Sequence, residues 1–255
     1  MQFESLIAEN YLIRAFIYGL IPALSTSIGG LLGLLGLKAS EKWLDFGLSL
    51  SAGIMLATSL YELLPEGISK SGYLIALLGF VMGVLIIGLI ERIIPHEHIF
   101  KGYEGSPVAK TRLRAVSLLI LAIIIHNIPE GMAVGAASYM GVEIGLATAA
   151  SIAIQDIPEG YAVSFPLSLI SRKKARPLII AVLSGLSETL MAVFTALITK
   201  IIAIEGFILG LVSGAMFYII SHEVIPETHR YGYETLATIG FIKGFILSII
   251  IMELI

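Results

Sequence analysis

Eight stretches of this chain, at about 11–36, 44–67, 73–94, 114–138, 142–169, 176–199, 206–226 and 233–254, are long and apolar enough to cross a bilayer. A spanning helix needs about 20 apolar residues to cover a hydrocarbon core of roughly 30 Å. Within that core the backbone must satisfy its own hydrogen bonds, so each stretch is predicted to be a helix. Together they consume most of the 255 residues and leave no room for a separate soluble domain. Composition agrees: 14% of residues are charged, against about 25% in soluble domains. The expected fold is an all-α integral membrane protein, one transmembrane domain over residues 1–255.

Basic residues fall in alternate loops. Lys38 and Lys42 follow span one, and Arg92, Lys101, Lys110, Arg112 and Arg114 surround the loop after span three. Arg172, Lys173, Lys174 and Arg176 follow span five, and Arg230 follows span seven. The opposite loops hold only Lys70 and Lys200, with Arg14 near span one. Basic loops stay cytoplasmic, so both termini are expected on the extracytoplasmic side. The run "SRKKARP" is a topology signal, and nothing suggests nucleic acid. The start "MQFESLIAENYLIRAF" has no early basic residue, so span one is expected to be retained rather than cleaved. A compact multi-pass chain of this kind is expected in a bacterial or archaeal inner (plasma) membrane, with the lipid bilayer as its partner. The chain has no cysteine, which removes thiolate ligands and disulfides.

Glycines recur four residues apart, as in Gly29/Gly33, Gly79/Gly83, Gly131/Gly135 and Gly240/Gly244. That spacing lines one helix face with small residues and predicts close helix packing. Two pairs of phrases repeat: "HNIPEG" (126–131) as "QDIPEG" (155–160), and "YELLPEG" (61–67) as "HEVIPET" (222–228). Spans four and five run in opposite directions, as do two and seven. The expected arrangement is therefore an inverted repeat, with a site near the midplane. The loop 95–111 is the one long polar linker, where His96, Glu97 and His98 could collect a metal ion.

Counting along the spans places ionisable groups at one depth. His126 is central in span four, Asp156 in span five and Glu188 in span six. An unpaired carboxylate there costs about 2.5–3.5 kcal/mol or more. Glu130, Asp156, Glu159 and Glu188 would repel one another unless cations or protons intervene. His126 and Glu130 are four apart on one face, as are Gln155 and Glu159. One imidazole among carboxylate and amide oxygens suits Zn²⁺, Fe²⁺, Mn²⁺ or Cd²⁺. Pro129 and Pro158 each remove a helical hydrogen bond mid-span and widen the bundle. Glu62, Glu66, His222, Glu223 and Glu227 stand near span ends, where a snorkelling role is the alternative. Met55 lies at mid-depth in span two, where packing outweighs a thioether ligand. Lys243, near the middle of span eight, is isolated in sequence.

The paired "HNIPEG" and "QDIPEG" on spans four and five, with "GLSE" on span six and "HEVIPE" on span seven, resemble the ZIP family of divalent metal transporters, in its prokaryotic branch. The resemblance covers essentially the whole chain. It implies uptake of Zn²⁺ and related ions into the cytoplasm through a binuclear centre. His126, Glu130, Gln155 and Glu159 match one metal position. Asn127, Asp156 and Glu188, with bridging Glu130 and Glu159, match a second. Met55 falls where the family can offer a span-two ligand, with Glu62 above it on the entrance side. His222 and Glu223 match a cytoplasmic exit site to which His96 and His98 can contribute. Gln155 and Asp156 depart from relatives with histidine on span five. The family resemblance also implies a homodimer in which spans one, four, five and six slide against two, three, seven and eight.

Other functions fare worse. A carboxylate–histidine proton relay is the main alternative, and a passive metal channel would use the same pathway. An intramembrane metalloprotease wants H-E-x-x-H, whereas "SHEVIPETH" puts Pro226 where the second histidine belongs. The expectation is a transporter and not an enzyme.

Overall fold

In a computed structural model, residues 7–35, 40–93, 96–98, 102–104, 115–170, 175–202, 204–229 and 232–255 are described. The helices are α1 (Tyr11–Leu34), α2 (Glu41–Ala57), α3 (Leu64–Ile93), α4 (Ala115–Met140), α5 (Val142–Ile170), α6 (Ala175–Ile202), α7 (Glu205–Thr228) and α8 (Glu234–Leu254). A π-helical turn, Thr58–Leu63, joins α2 to α3, and a second, Ile220–Val224, interrupts α7. The helices stand where the apolar stretches predict them. Five continuous runs are long and apolar enough to cross a membrane by length and composition: Tyr11–Leu34, Lys42–Ile93, Ala175–Ile202, Glu205–Thr228 and Glu234–Leu254. Their outward faces are greasy, as on α3, where Leu74, Leu77, Leu78, Val81, Leu85 and Leu89 are exposed.

The run Lys42–Ile93 has 52 residues and would measure about 78 Å if straight, far more than a hydrocarbon core. It folds back at Gly72, whose φ of 79° and ψ of 163° suit glycine alone. Gly67 and Gly79, on either side of that break, both lie against the first turns of α7. The chain therefore reverses between them, which divides the second expected span from the third. The echoed phrases of the second pair fold alike. The Leu64 N–H bonds the Ser59 carbonyl and the Ile225 N–H bonds the Ile220 carbonyl, each five residues back and one residue before a proline. Proline cannot donate to the fourth carbonyl behind it, and a π turn just ahead of it accommodates that loss.

The linker 95–111 is not wholly irregular. His96–His98 (β1) pairs antiparallel with Gly102–Glu104 (β2), His96 opposite Glu104, and β1 packs on α4. The described fold is otherwise helical, and in this short loop the backbone is satisfied by strand pairing.

The helices form two groups. In the first, α1, α4, α5 and α6 pack on one another; in the second, α3 pairs with α7 and α2 with α8. Glycine carries these seams. Gly29 and Gly33 rest on the α5 backbone, Gly131 and Gly135 on α6, Gly79 and Gly83 on α7, and Gly240 and Gly244 on α2. At Gly83 an added Cβ would strike the Leu211 carbonyl and lie 2.8 Å from the Ala215 nitrogen. Between the groups, where α2 meets α5 and α4 meets α7, the described glycine contact is Gly47 against the Pro158 ring. The first group is thus locked backbone to backbone, as is each of the α3–α7 and α2–α8 pairs, while the described contacts between the two groups run through side chains.

That contrast predicts the response to added bulk. Gly83→Val should overpack the α3–α7 seam by about 1–3 kcal/mol or more, lowering Tm in detergent by about 2–12 °C. Gly47→Ala, whose Cβ meets only the Pro158 side chain, should shift Tm by less than about 2 °C. Differential scanning fluorimetry of both variants is the check.

Candidate metal centre

The first group of helices brings its acids together. Carboxylate oxygens of Glu130 on α4 and of Asp156 and Glu159 on α5 lie within 4.8 Å of one another. Glu130, Asp156 and Glu188 are each only 1% exposed. The i, i+4 spacings foreseen in the two "PEG" phrases put these groups on the facing sides of α4 and α5, and α6 adds Glu188.

Amides and a hydroxyl tie the acids. The Gln155 side-chain amide donates to Glu130 Oε1 at 2.6 Å. The Asn127 amide donates to Ser184 Oγ at 2.9 Å and to Glu188 Oε1. Thr26 Oγ1, from α1, lies 3.2 Å from Asp156 Oδ2, 3.3 Å from Glu188 Oε1 and 3.1 Å from the Pro22 carbonyl. It carries one proton, so it serves these acceptors one at a time. Glu130 Oε2, Gln155 Oε1 and Glu188 Oε2 are buried without a hydrogen-bond partner. Buried acceptors are ordinarily satisfied, and lone pairs left over beside like charges are what a divalent cation coordinates.

His126 behaves differently from the expectation that it joins this cluster directly. Its Nε2 lies 2.8 Å from Glu223 Oε2, across the seam in the π turn of α7. His126 keeps Glu159 within electrostatic reach, so it stands between two acidic sites. Beyond it, Glu223 faces Glu91 at the end of α3, and Tyr218 stands near Glu91. His222 Nε2 lies 3.8 Å from Glu91 Oε2, and its ring lies against Tyr218 at 5.1 Å. Of the expected exit residues, His222 and Glu223 are therefore in one polar string; the side chains of His96 and His98 lie outside the described residues.

Met55 is buried in the apolar core, 1% exposed. The Ser51 hydroxyl donates to the Gln155 carbonyl at 2.8 Å and borders Glu159. Glu62 sits in the π turn, half-buried, with Thr148 of α5 close by. The π turn carries it partly inward. Glu66 is paired instead with Lys70 at 3.5 Å.

Three participants escape sequence reasoning. Thr26 follows Pro22 by one turn, and a third mid-span proline was the available signal. Ser51 looks like an ordinary small packing residue. Glu91, 4% exposed, reads in sequence as an interfacial charge beside Arg92.

A bundle of apolar-surfaced helices around a buried, oxygen-rich acidic cluster defines a membrane protein that handles cations. Comparison with known proteins narrows the class. Residues 95–252 match the family model described as ZIP zinc transporter. The chain is 39% identical to zinc transporter ZIPB of Bordetella bronchiseptica over 236 residues, 88% of this chain and 75% of that protein. It is 39% identical to zinc transporter GufA of Myxococcus xanthus over 69% of this chain and 71% of that one. Against zinc transporter ZupT of Streptococcus mutans serotype c the identity is 32%, over 94% and 96%. The chain belongs to the ZIP family, a family of integral membrane transporters and not of enzymes.

The hydrogen bonds of the cluster make one role measurable without metal. Asn127→Ala removes the donor to buried Glu188 and should destabilise the metal-free protein by about 1–3 kcal/mol. The check is its Tm in chelator; an unchanged Tm would show that the amide does not support that carboxylate.

Proposed function

We propose that the protein carries divalent metal ions into the cytoplasm, Zn²⁺ foremost and Fe²⁺, Mn²⁺ or Cd²⁺ by the same donor chemistry. The observation that carries this reading is the convergence of Glu130, Asp156 and Glu159 within 4.8 Å between packed helices. Like charges so placed are stable only with a cation or protons between them. The named relatives are zinc transporters, which favours the cation.

Two ions fit the donor set. Glu130, Gln155 and Glu159, with His126 and Met55, would hold the cargo ion beside the seam. Asn127, Asp156 and Glu188, with the shared Glu130 and Glu159, would hold a second ion within the first helix group. Glu62 marks the entrance side, and His222, Glu223 and Glu91 the exit, with His96 and His98 following in the loop.

The chain is read as eight spans with both termini outside, in the inner (plasma) membrane of a prokaryote and as a homodimer. Supporting this, α1 runs parallel to α5, α2 to α8 and α3 to α7, as alternating spans require. The matched π turns of α2 and α7 support an inverted repeat. Alternating access then follows from a sliding side-chain seam between the glycine-locked first group and the two glycine-locked pairs of the second. The His126–Glu223 pair crosses that seam on the cytoplasmic side. A metal ion that takes the imidazole as ligand breaks the pair, so occupancy of the midplane favours inward opening. Release follows as the ion meets Glu223 and His222.

Proteoliposomes containing a Zn²⁺-sensitive dye test the reading. Wild type should take up Zn²⁺, Glu159→Ala should lose at least about ten-fold, the scale of losing one ligand or its support, and Glu188→Ala should lose less. If no divalent metal enters while a proton-sensitive dye responds, the carboxylates are a proton relay and the metal reading fails.

A further inference from the structure

Lys243 is the one charged residue of α8 between Glu234 and Glu253 near its two ends. It is exposed, on a helix whose other exposed positions include Ile239, Ile242, Ile246 and Ile250. A lysine on such a surface is tolerated when its ammonium reaches the interface or a counter-charge. Nine residues beyond Glu234, its Cα stands ~14 Å inside the helix end, and helical side chains lean back toward that end. The ammonium accordingly lies over the ring of Phe46 on α2, 5.8 Å from its centroid. Phe46 meets Trp43 edge to face at 5.8 Å, and the Lys42 ammonium lies 5.7 Å over Trp43. Two cations and two rings thus make a continuous strip from the interior of α8 to the first turn of α2. Among the described residues, the ion pairs are Lys70–Glu66, His126–Glu223 and His222–Glu91, and neither lysine of the strip is in one. Asp45, the acid on the same turn of α2, is buried away from the surface at 4% exposure.

We propose that this strip binds anionic phospholipid, headgroup phosphates drawn to Lys42 and Lys243 and upper acyl chains laid against Trp43 and Phe46. Charge complementarity selects the occupant. Tryptophan and lysine are the residues of the headgroup level, and the strip lies at the chain end of the helices from which the basic loops extend. In a cytoplasmic leaflet, anionic lipid is the phosphate at hand. The proposal requires only that the protein sits in a membrane, so it stands apart from the metal reading. Its place on the outside of the α2–α8 pair would fasten the second helix group to the leaflet while the first group moves.

Trp43 is the sole tryptophan of the chain, so its fluorescence reports on the strip alone. The full chain is reconstituted in phosphatidylcholine vesicles containing dibrominated phosphatidylglycerol or, separately, dibrominated phosphatidylcholine. Phosphatidylglycerol should associate with Trp43 at least about five-fold more strongly, the scale of one lysine–headgroup attraction. The preference should vanish in Lys42→Gln/Lys243→Gln, survive in Lys243→Arg, and resist added inorganic phosphate. Circular dichroism of the double variant verifies that it is folded. Equal quenching by both lipids, or a preference that survives the double substitution, overturns the proposal. So does relief by inorganic phosphate, which marks a free-anion site, and so does the absence of quenching by either lipid, which marks rings covered by a second copy of the chain.

Discussion

Three buried carboxylates and a half-buried fourth, gathered between helices, are the constraint on which this structure depends. Nothing in hydrocarbon compensates a carboxylate, and no arginine or lysine is hydrogen-bonded to Glu130, Asp156 or Glu188 among the described contacts. The protein supplies neutral donors instead: Gln155, Asn127 and Thr26 each reach one or two acids. Neutral donors moderate repulsion without cancelling charge, which leaves the site selective for a mobile cation. A permanent lysine counter-ion would stabilise the fold and remove the reason for an ion to enter.

The rest of the architecture holds those groups in place while leaving one surface free to move. Glycine-to-backbone contacts fix α1, α4, α5 and α6 relative to one another, and with them all four acids and Thr26. The second group reaches the first across the seam through side chains, Ser51 from α2 to the Gln155 carbonyl and Glu223 from α7 to His126. Contacts of that kind exchange partners at small cost, whereas a glycine seam has no alternative register. His126 is the clearest instance, being four residues from Glu130 on its own helix yet bonded to Glu223 on the other group.

Much of this was legible in the sequence because membrane physics writes it plainly. Helix positions follow from apolar length, and the acids stand out because each is expensive at its depth. The glycine spacing foretold close packing, though not which partners the glycines would meet. What escaped was local and conformational. Gly72 sits inside an unbroken apolar run, so the reversal between α2 and α3 shows only as a glycine among many. The π turns had a signal in Pro65 and Pro226, but proline alone does not distinguish a π turn from a kink. Thr26 and Ser51 belong to residue types common in packed helices, so their hydroxyls gain meaning only from the acids beside them. The direction in which His126 points is a rotamer choice, fixed by a partner 97 residues away.

The most direct test of the central claim is the Tm of the purified protein with and without Zn²⁺, compared with Glu130→Gln/Asp156→Asn. Each amide keeps an oxygen that can accept the Gln155 or Thr26 hydrogen bond while the charge is lost. The account predicts that the double variant melts above wild type in chelator, because removing buried like charge relieves the fold. It also predicts that Zn²⁺ at about 100 times its Kd stabilises wild type by about 2.7 kcal/mol and leaves the variant unmoved. A wild type indifferent to Zn²⁺, or a variant no more stable than wild type without metal, would contradict it.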